Sequence, residues 1–117
     1  MNDEIHESVS SPLLDALQNV VNNESLFKRL VFKAFNIVYE SKKGILTREE
    51  LMNTIKSVGK SSNMKELTSN EEDIILDQIC QGKKEFKPED LYNILRKLLE
   101  YMINKEKQLL IELAKYH

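Results

Sequence analysis

At 117 residues with 41% hydrophobic content, the chain has the length and apolar material for one modest core, so a single folded domain is expected rather than global disorder. Three glycines and two prolines are too few for an all-β chain with many turns, which leaves helices. A formal charge of −2, from 17 basic and 19 acidic residues spread through the sequence, offers no basic face of the kind nucleic acid demands.

Residues 1–10 are acidic and polar, read as a flexible tail, and do not resemble a signal peptide. Ser11-Pro12 then offers an N-cap followed by proline at the first helical position. Leu13, Leu14, Leu17, Val20 and Val21 follow at helical spacing and predict a short helix to about Asn22. Asn22-Asn23 breaks the pattern. A second helix is predicted from about Ser25 to Val38, with Leu26, Leu30, Ala34, Ile37 and Val38 on one face and Phe27, Val31 and Phe35 widening it. A face that broad needs more than one neighbour to cover it. Lys42-Lys43-Gly44 reads as a turn in which Gly44 could take a positive φ without a Cβ penalty. Thr47-Arg48-Glu49-Glu50 is a capping box opening the next helix, whose stripe is Leu51, Ile55 and Val58, with Gly59 as the closing C′ residue.

This helix–turn–helix resembles an EF-hand of the calmodulin and myosin-light-chain group. The resemblance rests on Ala34-Phe35 ahead of the loop, Gly44 at its sixth position, Leu46 at the eighth, Glu50 at the twelfth and Leu51 directly after, for a loop from Tyr39 to Glu50. It implies the fold without the ion. Calcium needs roughly six to eight oxygens, and the first three ligand positions here are Tyr39, Ser41 and Lys43. A phenol that ionises only near about pH 10, a hydroxyl and a cation make a poor cage for a dication. Lys42 adds repulsion, and Glu50 is read as a capping residue. No metal and no cofactor is expected.

Lys60 to Leu67 reads as a polar linker of the length that separates two paired hands. Thr68-Ser69-Asn70-Glu71 is a second capping box, followed by Ile74, Ile75, Leu76 and Ile79. The stretch from Cys80 to Leu91 takes the place of a second loop, with Phe86 at the eighth position and Leu91 after the loop. If Ile79 ends the incoming helix, that loop is one residue short, and Lys83 and Lys84 stand where oxygen ligands belong. The resemblance covers about two-thirds of the chain, from Leu26 to Leu99, and implies degenerate paired hands joined by Leu46 and Phe86 across a short ribbon.

From Pro88 a helix to about Tyr116 is predicted, roughly 43 Å long at 1.5 Å per residue. Tyr92, Leu95, Leu99, Met102, Glu106, Leu109, Leu113 and Tyr116 recur at alternating spacings of three and four, a heptad seam interrupted at Glu106. Leu91, Ile94 and Leu98 form an adjoining stripe expected to face the domain. A break at Asn104, with the last segment folding back, is the competing reading. The expected architecture is therefore all-α: a flexible tail over 1–10, a paired-hand domain with an added N-terminal helix over 11–103, and a helical extension over 104–117.

No catalytic constellation is visible, so an enzyme is not expected. Cys80 is alone, which forbids an internal disulfide and fits a reducing compartment, and His6 and His117 stand at opposite ends. No apolar run nears the roughly 18 residues of a membrane span, and mixed signs at Lys105, Glu106, Lys107, Glu112 and Lys115 argue against a membrane-surface helix. A cytoplasmic protein is expected. The resemblance implies an adaptor that, without calcium, grips an amphipathic helix of a larger protein, myosin-like or cytoskeletal. Candidate contacts are Phe35, Leu51, Met52, Ile55, Val58, Ile75, Leu95, Leu98, Met102, Leu109 and Leu113, each of which could instead be plain core. The alternative is a structural cytoskeletal, microtubule or ciliary accessory protein. It rests on a faint similarity of Asp73-Ile74-Ile75-Leu76 and Gly82-Lys83-Lys84 to the tubulin-polymerisation-promoting family, with the long helix as a strut.

Overall fold

The computed structural model describes residues 11–41, 44–62 and 66–116, with the side chains of Glu40 and Ser41 outside the described set. Among these residues the order is α1 (Pro12–Asn22), α2 (Glu24–Ser41), β1 (Leu46–Thr47), α3 (Arg48–Ser61), α4 (Ser69–Ile79), β2 (Glu85–Phe86) and α5 (Asp90–Lys115). The chain is all-α apart from one two-stranded ribbon. Two compact units divide it: one holds residues 1–27 and 99–117, the other 28–98, so α2 and α5 each contribute to both.

Helix starts follow from local chemistry. Ser11 Oγ accepts from Leu14 N at 3.0 Å, ahead of Pro12 at the first helical position. Thr47 Oγ1 accepts from Glu50 N at 3.1 Å while Glu50 Oε1 accepts from Thr47 N at 3.0 Å, a closed capping box. Thr68 and Glu71 repeat that exchange at 3.2 and 3.1 Å for α4. Each box satisfies two backbone donors that a helix start leaves orphaned, and a cap of this kind contributes about 1 kcal/mol.

Helix ends depart further from the predicted pattern. α2 continues through Tyr39 to Ser41, three residues past Val38. α3 runs through Gly59 to Ser61 and is capped at Ser62, so Gly59 is an interior helical glycine rather than a C′ residue. Its cost there is about 1 kcal/mol relative to alanine, which neighbouring burial at Val58 offsets. α5 starts at Asp90, not Pro88: Lys87 O accepts from Asp90 N and Pro88 O from Leu91 N, a tight turn before the regular helix. Asn104 does not break it. Gly82, at φ 77, and Gln81, at φ 48, carry the left-handed turn after α4. Lys42 and Lys43 of the predicted first turn, and the predicted tail over 1–10, lie outside the described residues.

Within 28–98, α2, β1 and α3 form one helix–loop–helix and α4, β2 and α5 a second. β1 pairs antiparallel with β2, with Leu46 opposite Phe86 and Thr47 opposite Glu85. Both Leu46 and Phe86 are 2% exposed, so the ribbon is anchored from below by a buried cross-strand pair. Ala34, Leu51, Ile75 and Leu91 are fully buried, and Leu30, Val31, Val38, Met52, Ile55, Val58, Cys80, Ile94, Leu95 and Leu98 join them in the apolar interior of this unit. In the other unit Leu14, Leu17, Phe27, Leu99 and Ile103 are the buried apolar side chains. No described helix is long and apolar enough to cross a membrane.

Candidate functional site

In each loop one described carboxylate turns back on the protein itself, Glu50 in the first and Asp90 in the second. In the first, Glu50 spends Oε1 on the backbone of Thr47. Tyr39 belongs to the last turn of α2, its ring 73% exposed and 6.4 Å from that of Phe35. The side chain of Ser41, and Lys43, lie outside the described residues. In the second loop α4 ends at Ile79, as its spacing predicted, with Cys80 as cap. Asp90 Oδ2 accepts from Lys87 N at 2.9 Å and from Lys83 Nζ at 3.1 Å. The Lys87 amide, and then the Lys83 ammonium, hold the Asp90 carboxyl below its ordinary value. Lys83 Nζ also lies 5.7 Å from the centre of the Phe86 ring. One ammonium thus ties the start of α5 to the ribbon through a carboxylate and a π face.

The eleven residues singled out for partner contact separate into two groups. Leu51, Met52, Ile55, Val58, Ile75, Leu95 and Leu98 are all 6% exposed or less, and so belong to the interior. Phe35 and Met102 are half-buried, while Leu109 and Leu113 are 45% and 59% exposed. Periodicity identifies an apolar face without identifying what covers it, which is why the sequence pattern merged the two groups.

The groove between α3 and α4, about 570 Å³, is lined by Arg48, Glu49, Met52, Asn53, Lys56, Glu72, Asp73, Leu76 and Asp77. Arg48 Nη2 reaches Asp77 Oδ1 at 3.4 Å and Lys56 pairs with Glu72, so ion pairs from both helices span it. Six of its nine lining residues are charged. It is a polar crevice, poorly suited to an apolar helix face.

No family model, no curated protein and no solved structure matches this chain.

Among the described residues the exposed large apolar side chains lie on α5, where Ile111 at 46% stands off the seam, on α2, and at Ile45 in the first loop, 52% exposed. On α5 the seam opens after Ile103: Leu109, Leu113 and Tyr116 stand three and four residues apart and are 45%, 59% and 86% exposed. On α2, Phe32 is 65% exposed and shares a face with Phe35 and Tyr39. Sequence reasoning missed Phe32, although its signal was present: it lies three residues before Phe35 and seven before Tyr39, one stripe of a helix. Cys80 is buried, and burial pushes its thiol up from the ordinary range despite the nearby charges of Arg48, Lys83 and Lys97.

Proposed function

We propose that this chain is a non-catalytic, calcium-independent, EF-hand-like adaptor that docks an amphipathic helix of a larger protein, and that the docking face is the outer seam of α5. The observation that carries the reading is the open run Leu109–Leu113–Tyr116, continuing the heptad register of the buried Leu95 and Leu99. A second helix carrying its own apolar stripe completes such a seam by placing knobs between these side chains. Lys105 and Glu112 flank it with opposite signs, which suits a partner helix of mixed charge. The EF-hand-like reading is supported by two helix–loop–helix units whose loops pair through Leu46 and Phe86. The calcium-independent reading is supported by Glu50 acting as a cap and by the Lys83 ammonium bound at Asp90.

Site-specific photo-crosslinking in cells tests this. A photoreactive residue at Leu113 should give one dominant adduct, mapped by mass spectrometry to a helical segment with apolar residues at heptad spacing. The same probe at Lys107 should not. Equal yields from both positions, or a loop as the cross-linked segment, would refute the assignment.

The unbroken 26 residues of α5, about 39 Å of helix, favour a second reading as a cytoskeletal strut. Co-sedimentation with microtubules, lost on charge reversal at Lys83, Lys84 and Lys87, distinguishes it from the adaptor.

A further inference from the structure

We infer that the outer face of α2 is a second docking surface, distinct from the α5 seam, and that its occupant is an acidic amphipathic helix of another protein. Phe32 and Tyr39 are 65% and 73% exposed, seven residues apart, and the half-buried Phe35 between them holds its ring tilted by 34° and 6.4 Å from that of Tyr39. At 1.5 Å per residue the stripe is about 10 Å long, two helical turns, the length over which a crossing helix makes contact. Two aromatic rings held open to solvent on a regular helix are the large, low-entropy anchors that recognition surfaces use.

Charge selects the occupant. Lys28, Arg29 and Lys33 are the only ionisable residues between Glu24 and Tyr39, and all three are exposed. Lys33 Nζ donates to Ser62 Oγ at 3.4 Å, which holds its ammonium beside α3. A second copy of this chain would bring the same three cations against one another, so self-pairing of the stripe is disfavoured. Nucleic acid and anionic membranes present dense negative charge to the whole molecule, whose own net charge is −2. A helix with apolar residues at i, i+3 and i+7 and carboxylates beside them meets both features at once.

The probe is a fluorescein-labelled 18-residue peptide with leucines on one helical face and glutamates on the other, read by anisotropy with the full chain. The same peptide with lysines replacing the glutamates is the comparison. The acidic peptide should bind at least tenfold more tightly than the lysine peptide, and amide shift changes should map to residues 28–39. F32S/Y39S and, separately, R29E/K33E should each weaken it by tenfold or more, with circular-dichroism melts unchanged because all four side chains are exposed. L109E/L113E should leave it unaffected, which separates this surface from the α5 seam. Equal or tighter binding of the lysine peptide, insensitivity to both α2 variants, or loss with L109E/L113E would overturn the inference. So would Phe32- and Tyr39-dependent binding to phosphatidylserine vesicles or a thymidine 20-mer exceeding that to the peptide, or concentration-dependent dimerisation through the stripe.

Discussion

Leu95 and Leu113 occupy one heptad seam on one helix, with identical chemistry and opposite surroundings. Leu95 is 3% exposed and Leu113 is 59% exposed. Truncating a buried leucine to alanine removes its transfer free energy and leaves a cavity, which costs about 2–5 kcal/mol. For Leu113 only some two-fifths of the residue is out of water, so the loss scales to about 1 kcal/mol or less. Alanine's slightly better helix propensity offsets part of that. A domain of this size has about 6–18 kcal/mol of total stability, so L95A removes a large share and L113A almost none. Urea unfolding followed by circular dichroism reads the difference. With m near about 2 kcal/mol/M, L95A should lower the midpoint by roughly 1 M or more, and L113A by about 0.5 M or less, with m unchanged in both. Equal shifts would mean that the seam is packed along its whole length in the free protein, leaving no open face for a partner.

Three further outcomes follow from the same contacts. T68A should cost about 1 kcal/mol, because it leaves the Glu71 amide without its cap; helical content and the unfolding midpoint measure it. Asp90 has a carboxyl pKa lowered in the folded state, so its charged form contributes stability that is full above the ordinary carboxyl range and is lost as pH falls through the lowered value. D90N should therefore destabilise at neutral pH by about 1 kcal/mol or less, as expected for a partly exposed pair, and converge with the parent at low pH in melts taken across pH 2–7. Cys80, buried and with a raised thiol pKa, should react with a disulfide reagent at pH 8 on the order of a hundredfold more slowly in the native chain than in urea; native labelling at the denatured rate would contradict that burial.

Three helix beginnings were legible, though not that of α5, because a cap is a conversation between a side chain and a backbone three residues away. Ser11, Thr47 and Thr68 each start their helix where the pattern placed them. The pairing of Leu46 with Phe86 was also legible, from the eighth loop position that each takes in the EF-hand resemblance. Helix ends were less so. Nothing local stops α2 at Val38 or α3 at Gly59, and a helix continues while each further residue closes another hydrogen bond. The candidate contacts fared worst. The same heptad pattern contains Leu95, which is core, and Leu109, which is half-exposed, and no property of leucine tells them apart.

That indifference bears on how function is to be sought in this molecule. Where a helix faces the interior, its leucines are accounted for by folding and provide no information about partners. Past Ile103 the spacing continues for three more turns, and among the described residues none covers Leu109, Leu113 or Tyr116 fully, which stay 45%, 59% and 86% exposed. Folding alone would tolerate glutamate or lysine at those positions and gain solubility from them. On the proposed reading, apolar residues in register on an open helical face have a cause outside the described fold. A complementary helix supplies one, because only a second stripe of the same period removes all three side chains from water together. The α2 stripe differs in chemistry, wholly aromatic where α5 presents two leucines and a tyrosine, and basic where α5 is mixed, so the two faces would select different helices. An adaptor that holds two unlike partners needs such a difference, since two identical faces would compete for the same one.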